Sequence, residues 1–151
     1  MSQTDAMAPE KLLELLDKIP FFKDFSSYEK KRVVGNNTAF KSYRAGAKII
    51  KEGDTDTSFF IILAGTASVV KQGATIINLG MGEFFGEMAF LTNEPRNTSV
   101  IAFDDAVVAL QVDQELMKRL SADIREKVKD QIITKLIERL NKTTERLRVR
   151  M

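Results

Sequence analysis

Cysteine and histidine are both missing from this 151-residue chain. Without cysteine there is no disulfide framework, no thiolate nucleophile and no Cys-type zinc site. Without histidine the commonest general base and the commonest metal ligand are gone as well. Zinc chemistry and Ser-His catalysis therefore lose their usual groups, and no pair of carboxylates stands out as a general acid and base. The expectation is a protein that is not an enzyme and holds neither metal nor cofactor. Long apolar runs are lacking too, and none approaches the length needed to span a bilayer. The first twenty residues, MSQTDAMAPEKLLELLDKIP, contain no basic region followed by an apolar core, so no signal peptide is expected. Cytoplasmic residence follows as the expectation, with no membrane partner. The excess of one sign of charge is small: 23 Lys and Arg against 21 Asp and Glu give a net charge of +2, which argues against bulk affinity for nucleic acid.

What is present has the make-up of a globular protein, with 44% hydrophobic and 29% charged residues, and the length suits one domain. Residues 1–37 read as an N-terminal helical segment, 38–112 as a β region and 113–151 as C-terminal helices. Ala8 to Ile19 predicts a helix, with Pro9 at its first position and Leu12, Leu13, Leu16 and Ile19 at helical spacing. Ser26 and Glu29 form a capping-box pattern ahead of a short basic helix to Val34. Phe21, Phe22 and Phe25 read as core packing in preference to a partner surface.

From Thr38 the pattern changes to short runs rich in β-branched and aromatic residues. They are Ala39–Tyr43, Lys48–Lys51, Ser58–Ala64, Thr66–Lys71, Thr75–Leu79, Val100–Phe103 and Val107–Val112, parted by turn signals such as Gly53-Asp54 and Gln72-Gly73. Strands at this spacing, without long helices between them, imply an antiparallel sandwich or barrel. Beyond Val112, Asp113 can cap a short helix through Leu120, and Ser121 a second one running to Arg150. In the second helix Ile133, Leu136, Leu140, Thr143 and Leu147 fall at alternating three- and four-residue steps, as in a coiled-coil seam, which makes a homodimer through its last part an expectation. From Arg125 to Met151 there are nine Lys/Arg against four Asp/Glu, read as a solvated face.

One stretch interrupts the β run: Gly80 to Val100, GMGEFFGEMAFLTNEPRNTSV. Apolar Phe84, Phe85, Met88, Phe90 and Leu91 should anchor it to a core. Gly86 leaves room for a close approach to the backbone. Glu87 to Leu91 has the spacing of about one helical turn, whose first amides lack internal partners and suit an anion. Arg96, held behind Pro95, offers a guanidinium that can fork onto two phosphate oxygens. Amides, a carboxylate and an arginine suit a phosphorylated sugar better than a metal or a peptide. A dinucleotide fingerprint from Gly80-Met81-Gly82 fails at Phe85, a P-loop fails at Glu87, and Asp54-Thr55-Asp56 lacks the rest of a calcium loop and reads as a surface turn.

F-G-E-M-A at Phe85 to Ala89, followed by P-R-N-T-S-V at Pro95 to Val100, resembles the phosphate-binding cassette of the cyclic nucleotide-binding domain family. Tyr43 to Gly46, Ile50 to Asp54 and Phe59 to Gly65 resemble further elements of that family, so the resemblance covers about Phe21 to Leu120. It implies an antiparallel β jelly-roll barrel with the cassette inserted, N-terminal helices and a long C-terminal helix. It also implies that Arg96 pairs with a cyclic phosphate, assisted by amides around Ala89 and Asn97. Glu87 would accept from the ribose 2′-hydroxyl, with Gly86 and Met88 lining the sugar. The ligand implied is cAMP, with cGMP the alternative and Asn97 within reach of the base. Thr98 departs from the family, which usually has alanine there. Members commonly close a C-terminal helix over the base, and Ile132, Ile133 or Leu136 would supply that lid. A surface ion pair between Glu87 and Arg96 is the bland reading of those two residues. The function expected is a sensor signalling to an unidentified effector protein. A binding-incompetent fold kept for protein contact, and part of a DNA-binding regulator, are the other readings.

Overall fold

The computed structural model describes residues 2–3, 7–103 and 106–150. Helix α1 spans Pro9–Asp17 and α2 spans Ser27–Val34, linked by a tight 3-10 turn at Pro20–Phe22. α1 ends two residues earlier than the apolar spacing suggests, because Ile19 is already extended ahead of Pro20. The capping box forms: the Ser26 hydroxyl accepts from the Glu29 amide at 3.1 Å, and the Glu29 carboxylate accepts from the Ser26 amide at 2.8 Å.

Among the described residues nine strands follow an antiparallel plan in two sheets. Strands β1 (Ser2–Gln3), β2 (Phe40–Tyr43), β4 (Phe59–Ala64), β7 (Phe84–Phe85) and β9 (Val107–Val112) form the order β1-β2-β9-β4-β7. Strands β3 (Lys48–Ile50), β5 (Ala67–Lys71), β6 (Ala74–Leu79) and β8 (Ser99–Ala102) form the order β3-β8-β5-β6. β7, which pairs Phe84 and Phe85 with Ile61 and Phe60, lies inside the stretch read as a loop cassette.

β4 shows how the layers are built. Its sequence FFIILA is apolar throughout because both of its faces are buried. Phe59, Ile61 and Leu63 point into one core, shared with Leu12, Leu16, Phe21, Phe22 and Phe25 of the N-terminal segment. Phe60 and Ile62 point into the other core, between the sheets, with Ile50, Leu79, Phe85, Val100 and Ala102. Alternate side chains of one strand thereby tie the helices to one face and the second sheet to the other. The aromatic cluster at Phe21, Phe22 and Phe25 is buried core, as its sequence reading holds.

After β9 come α4 (Gln114–Arg119), with the Asp113 carboxylate accepting from the Leu116 amide at 2.8 Å, and α5 (Ala122–Arg150). Ile124, Val128 and Ile132 of α5 pack into the helix-side core, and Leu136 lies partly buried against it. On the other side of the helix Ile133, Ile137, Leu140 and Leu147 are all about half exposed or more. The exposed apolar stripe thus runs through Ile137, whereas Leu136 of the expected seam is partly buried and its Thr143 is exposed. Among the described residues no helix is long and apolar enough to cross a membrane.

Candidate functional site

Between β7 and β8 the chain makes one short helix, α3 (Glu87–Thr92), and returns through Pro95. Three phenylalanines pin this excursion down. Phe84 meets Phe21 edge-on at 5.9 Å, Phe90 meets Phe59 at 4.8 Å, and Phe85 stacks on Phe60 at 5.2 Å. Met88 and Leu91, expected as further anchors, are 54% and 49% exposed. A six-residue helix sitting on the sheet turns only Ala89 and Phe90 inward beside Glu87, and Met88 and Leu91 fall on its outer side.

The excursion and α5 enclose a cleft of about 540 Å³. All seven residues expected at a ligand, Gly86 to Ala89 and Arg96 to Thr98, line it. Its floor is apolar, supplied by Ile50, Val69, Leu79 and Val100. The three residues expected as a lid do not line it: Ile132 is core, Leu136 is partly buried against that core, and Ile133 faces solvent. α5 reaches the cleft one to four turns later, through Arg139, Lys142, Thr143 and Arg146.

Arg96 is buried, and its surroundings explain how a guanidinium is kept there. Nη1 donates to the Gly86 carbonyl at 3.0 Å. Nη2 donates to the Asp56 carboxylate at 2.8 Å and to the Ser58 carbonyl. The backbone is gripped as well: the Arg96 amide donates to the Asp54 carbonyl, and the Gly53 amide donates to the Arg96 carbonyl, both at 2.8 Å. The loop from Lys51 to Ser58 is therefore the socket of Arg96. Ser58 extends the network, donating its hydroxyl to Asp56 at 3.0 Å and accepting from Gln111 at 2.9 Å. Among the described residues one buried side-chain donor has no acceptor, and it is Arg96 Nε.

Glu87 is also buried, and its partner is Arg139 of α5 at 3.3 Å, which replaces the bland reading of a Glu87–Arg96 pair. Arg139 further donates to the Phe84 carbonyl at 3.2 Å and lies 4.8 Å from the centre of the Phe84 ring. One side chain of α5 thus touches the cassette at a carboxylate, a carbonyl and an aromatic face.

Two residues of this site escaped the sequence reading. Asp56 sits forty residues before Arg96 in a segment that looks like any polar turn. Arg139 is one cation among nine in a basic tail. No local pattern marks either one.

Burial pushes the Asp56 carboxyl upward, but the hydrogen bonds from Arg96 and Ser58 together outweigh it and hold the group below its ordinary value. A carboxyl depressed on folding contributes stability that is fully present above its unfolded value. That contribution is lost as pH falls through the folded value. The parent should therefore lose thermal midpoint as pH falls below about 4, the ordinary aspartate value, and Asp56→Asn should lose less over the same interval. Equal losses would remove Asp56 from the acid response.

Comparison with known proteins agrees with this geometry. Residues 40–123 match the cyclic nucleotide-binding domain family. The cAMP-dependent protein kinase regulatory subunit of Neurospora crassa is 38% identical over 96 residues, covering 62% of this chain and 25% of that protein. The type II regulatory subunit of Drosophila melanogaster is 35% identical over 111 residues, covering 71% of this chain and 29% of that protein. The chain thus spans between a quarter and a third of the length of these curated relatives. Among solved structures, a cyclic nucleotide-binding domain from Methylobacillus flagellatus superposes with a TM-score of 0.73 at 25% identity, covering 95% of this chain and 84% of that one. With the family matched over more than half its length and the cassette folded around a buried arginine, the chain belongs to the cyclic nucleotide-binding domain family.

Proposed function

We propose that the cleft binds a cyclic nucleotide, cAMP in the first instance, and that the protein is a non-catalytic sensor. The observation that carries this is Arg96 Nε, a buried donor without an acceptor on the wall of a cleft. Such a group costs about 1–3 kcal/mol, and an anionic oxygen is the acceptor that suits a guanidinium best. The cyclic phosphate is assigned to Arg96 and to the amides around Ala89 and Asn97. The ribose 2′-hydroxyl is assigned to Glu87, with the base over the apolar floor. Two of the similar proteins are cAMP-dependent kinase regulatory subunits by name, which supports cAMP as the first ligand to test.

A ligand that binds only the folded state raises the midpoint. At a hundred times its Kd, cAMP should stabilise by about 2.7 kcal/mol, a rise of roughly 5–10 °C for a chain of this size. An unmoved midpoint with every cyclic nucleotide would leave a fold kept for protein contact.

Signalling runs through α5 in this reading. Arg139 takes one oxygen of Glu87, and a ribose hydroxyl donating to the same carboxylate would draw charge from that pair, so occupancy changes how firmly Arg139 is held and hence where α5 rests. Amide hydrogen exchange in α5 should change on adding cAMP, and identical protection would reject the coupling.

The exposed stripe on α5 is assigned to a second copy of the chain. Ile133, Ile137, Leu140, Thr144 and Leu147 are spaced by four, three, four and three residues, as in a heptad seam. Its a positions, Ile137 and Thr144, are β-branched, and leucine stands at two of its three d positions, a pattern that favours two parallel strands. Sedimentation should find a dimer that Ile137→Glu with Leu140→Glu abolishes. A parent that stays monomeric at high concentration would reject the pairing.

A further inference from the structure

α5 meets the cleft with cations where an apolar cap is expected. Arg139, Lys142 and Arg146 stand three and four residues apart, so they share one helical face, and all three line the cleft. Like charges one turn apart on a helix repel, so such a face calls for counter-charge. Arg139 finds it in Glu87. The acids of this part of α5 are turned elsewhere: Glu138 pairs with Lys135 at 3.6 Å and Glu145 with Arg148 at 3.4 Å. Of the other acids on the cleft wall, Glu83 is held by the Gly80 amide at 2.9 Å, and Glu94 is exposed. Among the described residues Lys142 and Arg146 have no ion-pair or hydrogen-bond partner.

Arg96 and this pair line the same cleft from different elements, the first from its socket against the Lys51–Ser58 loop and the second from α5. We infer that Lys142 and Arg146 form a second anion subsite, so that the ligand the cleft holds best carries two phosphodiesters, as a cyclic dinucleotide does. The inference rests on the cyclic nucleotide reading. In it the first ring phosphate lies at Arg96 and the second between the ammonium and guanidinium of α5. The apolar floor of Ile50, Val69 and Leu79 takes one base. A cyclic mononucleotide meets only the first subsite and leaves the α5 cations to solvent.

The test is calorimetric titration of the full chain with 3′,5′-cyclic AMP and with 3′,3′-cyclic di-AMP, repeated with the guanine counterparts. A charge-assisted contact to a second phosphate is worth at least about tenfold in affinity. The dinucleotide should therefore bind at least about tenfold tighter than the mononucleotide of the same base, with the steeper salt dependence. The double variant Lys142→Gln with Arg146→Gln, at two exposed positions, should lower dinucleotide affinity far more than mononucleotide affinity and close that gap. A parent that binds cAMP but gains nothing from the second phosphate overturns this inference and leaves the sensor reading standing. A gap that survives in the double variant also overturns it. Failure of every nucleotide to bind overturns the sensor reading itself, and this inference with it.

Discussion

Arg96→Leu should weaken cAMP binding by one to two orders of magnitude and lower the melting midpoint of the free protein as well. The binding loss follows from the chemistry of the lost contact, since hydrogen bonds to a charged phosphate are worth about 1.5–3 kcal/mol, or roughly 10- to 150-fold. The stability loss follows from the socket. Leucine takes the Nη2 donor from the Ser58 carbonyl, leaves the Gly86 carbonyl only the Phe90 amide at 3.4 Å, and leaves Asp56 without its cation. Each buried acceptor without a donor costs about 1–3 kcal/mol, and the removal of a buried charge offsets part of that. Arg96→Lys separates the two effects. It keeps a positive charge near Asp56 but lacks the fork, so it should keep more of the midpoint than leucine while still losing most of the affinity. Calorimetry on both variants, with circular dichroism confirming the fold, checks the assignment. If leucine at position 96 binds cAMP as tightly as the parent, the phosphate does not go there.

The two variants also mark how far the sequence could be read. The strands were legible because their apolar runs are short and closed by glycine-containing turns, and β9 begins and ends where its pattern says. The cassette was legible because Gly86, Glu87 and Arg96 sit within ten positions of one another, in a local pattern that resembles the family's cassette and so implies a shared site. What holds those residues was not legible. Asp56 and Arg139 reach the site from 40 and 52 residues away, the first from the connection between the two sheets and the second from the C-terminal helix. A local pattern carries no information about such pairings.

The lid residues show the same limit in another form. The resemblance implies a lid on α5, and Ile132, Ile133 and Leu136 are its apolar residues there, but apolarity says only that a face is covered, not by what. The core between the first sheet and the helices claims Ile132 and part of Leu136, and that packing leaves the cleft to the next basic turns. Phe84–Phe85 was hidden for a related reason. A two-residue strand has no period to detect, and only its pairing with Phe60 and Ile61 makes it one.

Gly86→Ala should be the most damaging single methyl group added to the site. Gly86 has φ +83°, in the left-handed region, where any residue with a Cβ pays about 1–2 kcal/mol. The same is true of Gly46, at φ +85°, where a Cβ would meet nothing within 4 Å. At Gly86 a Cβ would stand 2.9 Å from Arg96 Nη1, 3.0 Å from Ile50 Cδ1 and 3.0 Å from the Ser58 carbonyl oxygen. Ile50 can swing its methyl away, but the carbonyl belongs to the socket backbone and cannot. Relief must come from the guanidinium, which loses its bond to the Gly86 carbonyl as it moves. The glycine is therefore required by Arg96, a close approach from within the chain. Gly46→Ala should cost the dihedral penalty alone, about 1–2 kcal/mol, with cAMP affinity unaltered. Gly86→Ala should cost roughly 2–4 kcal/mol, a fall of about 5–15 °C, and should also lower cAMP affinity at least about tenfold. Melting curves and titrations of the two variants side by side decide it. Equal losses in both would mean that the methyl group and the guanidinium never compete for the same space.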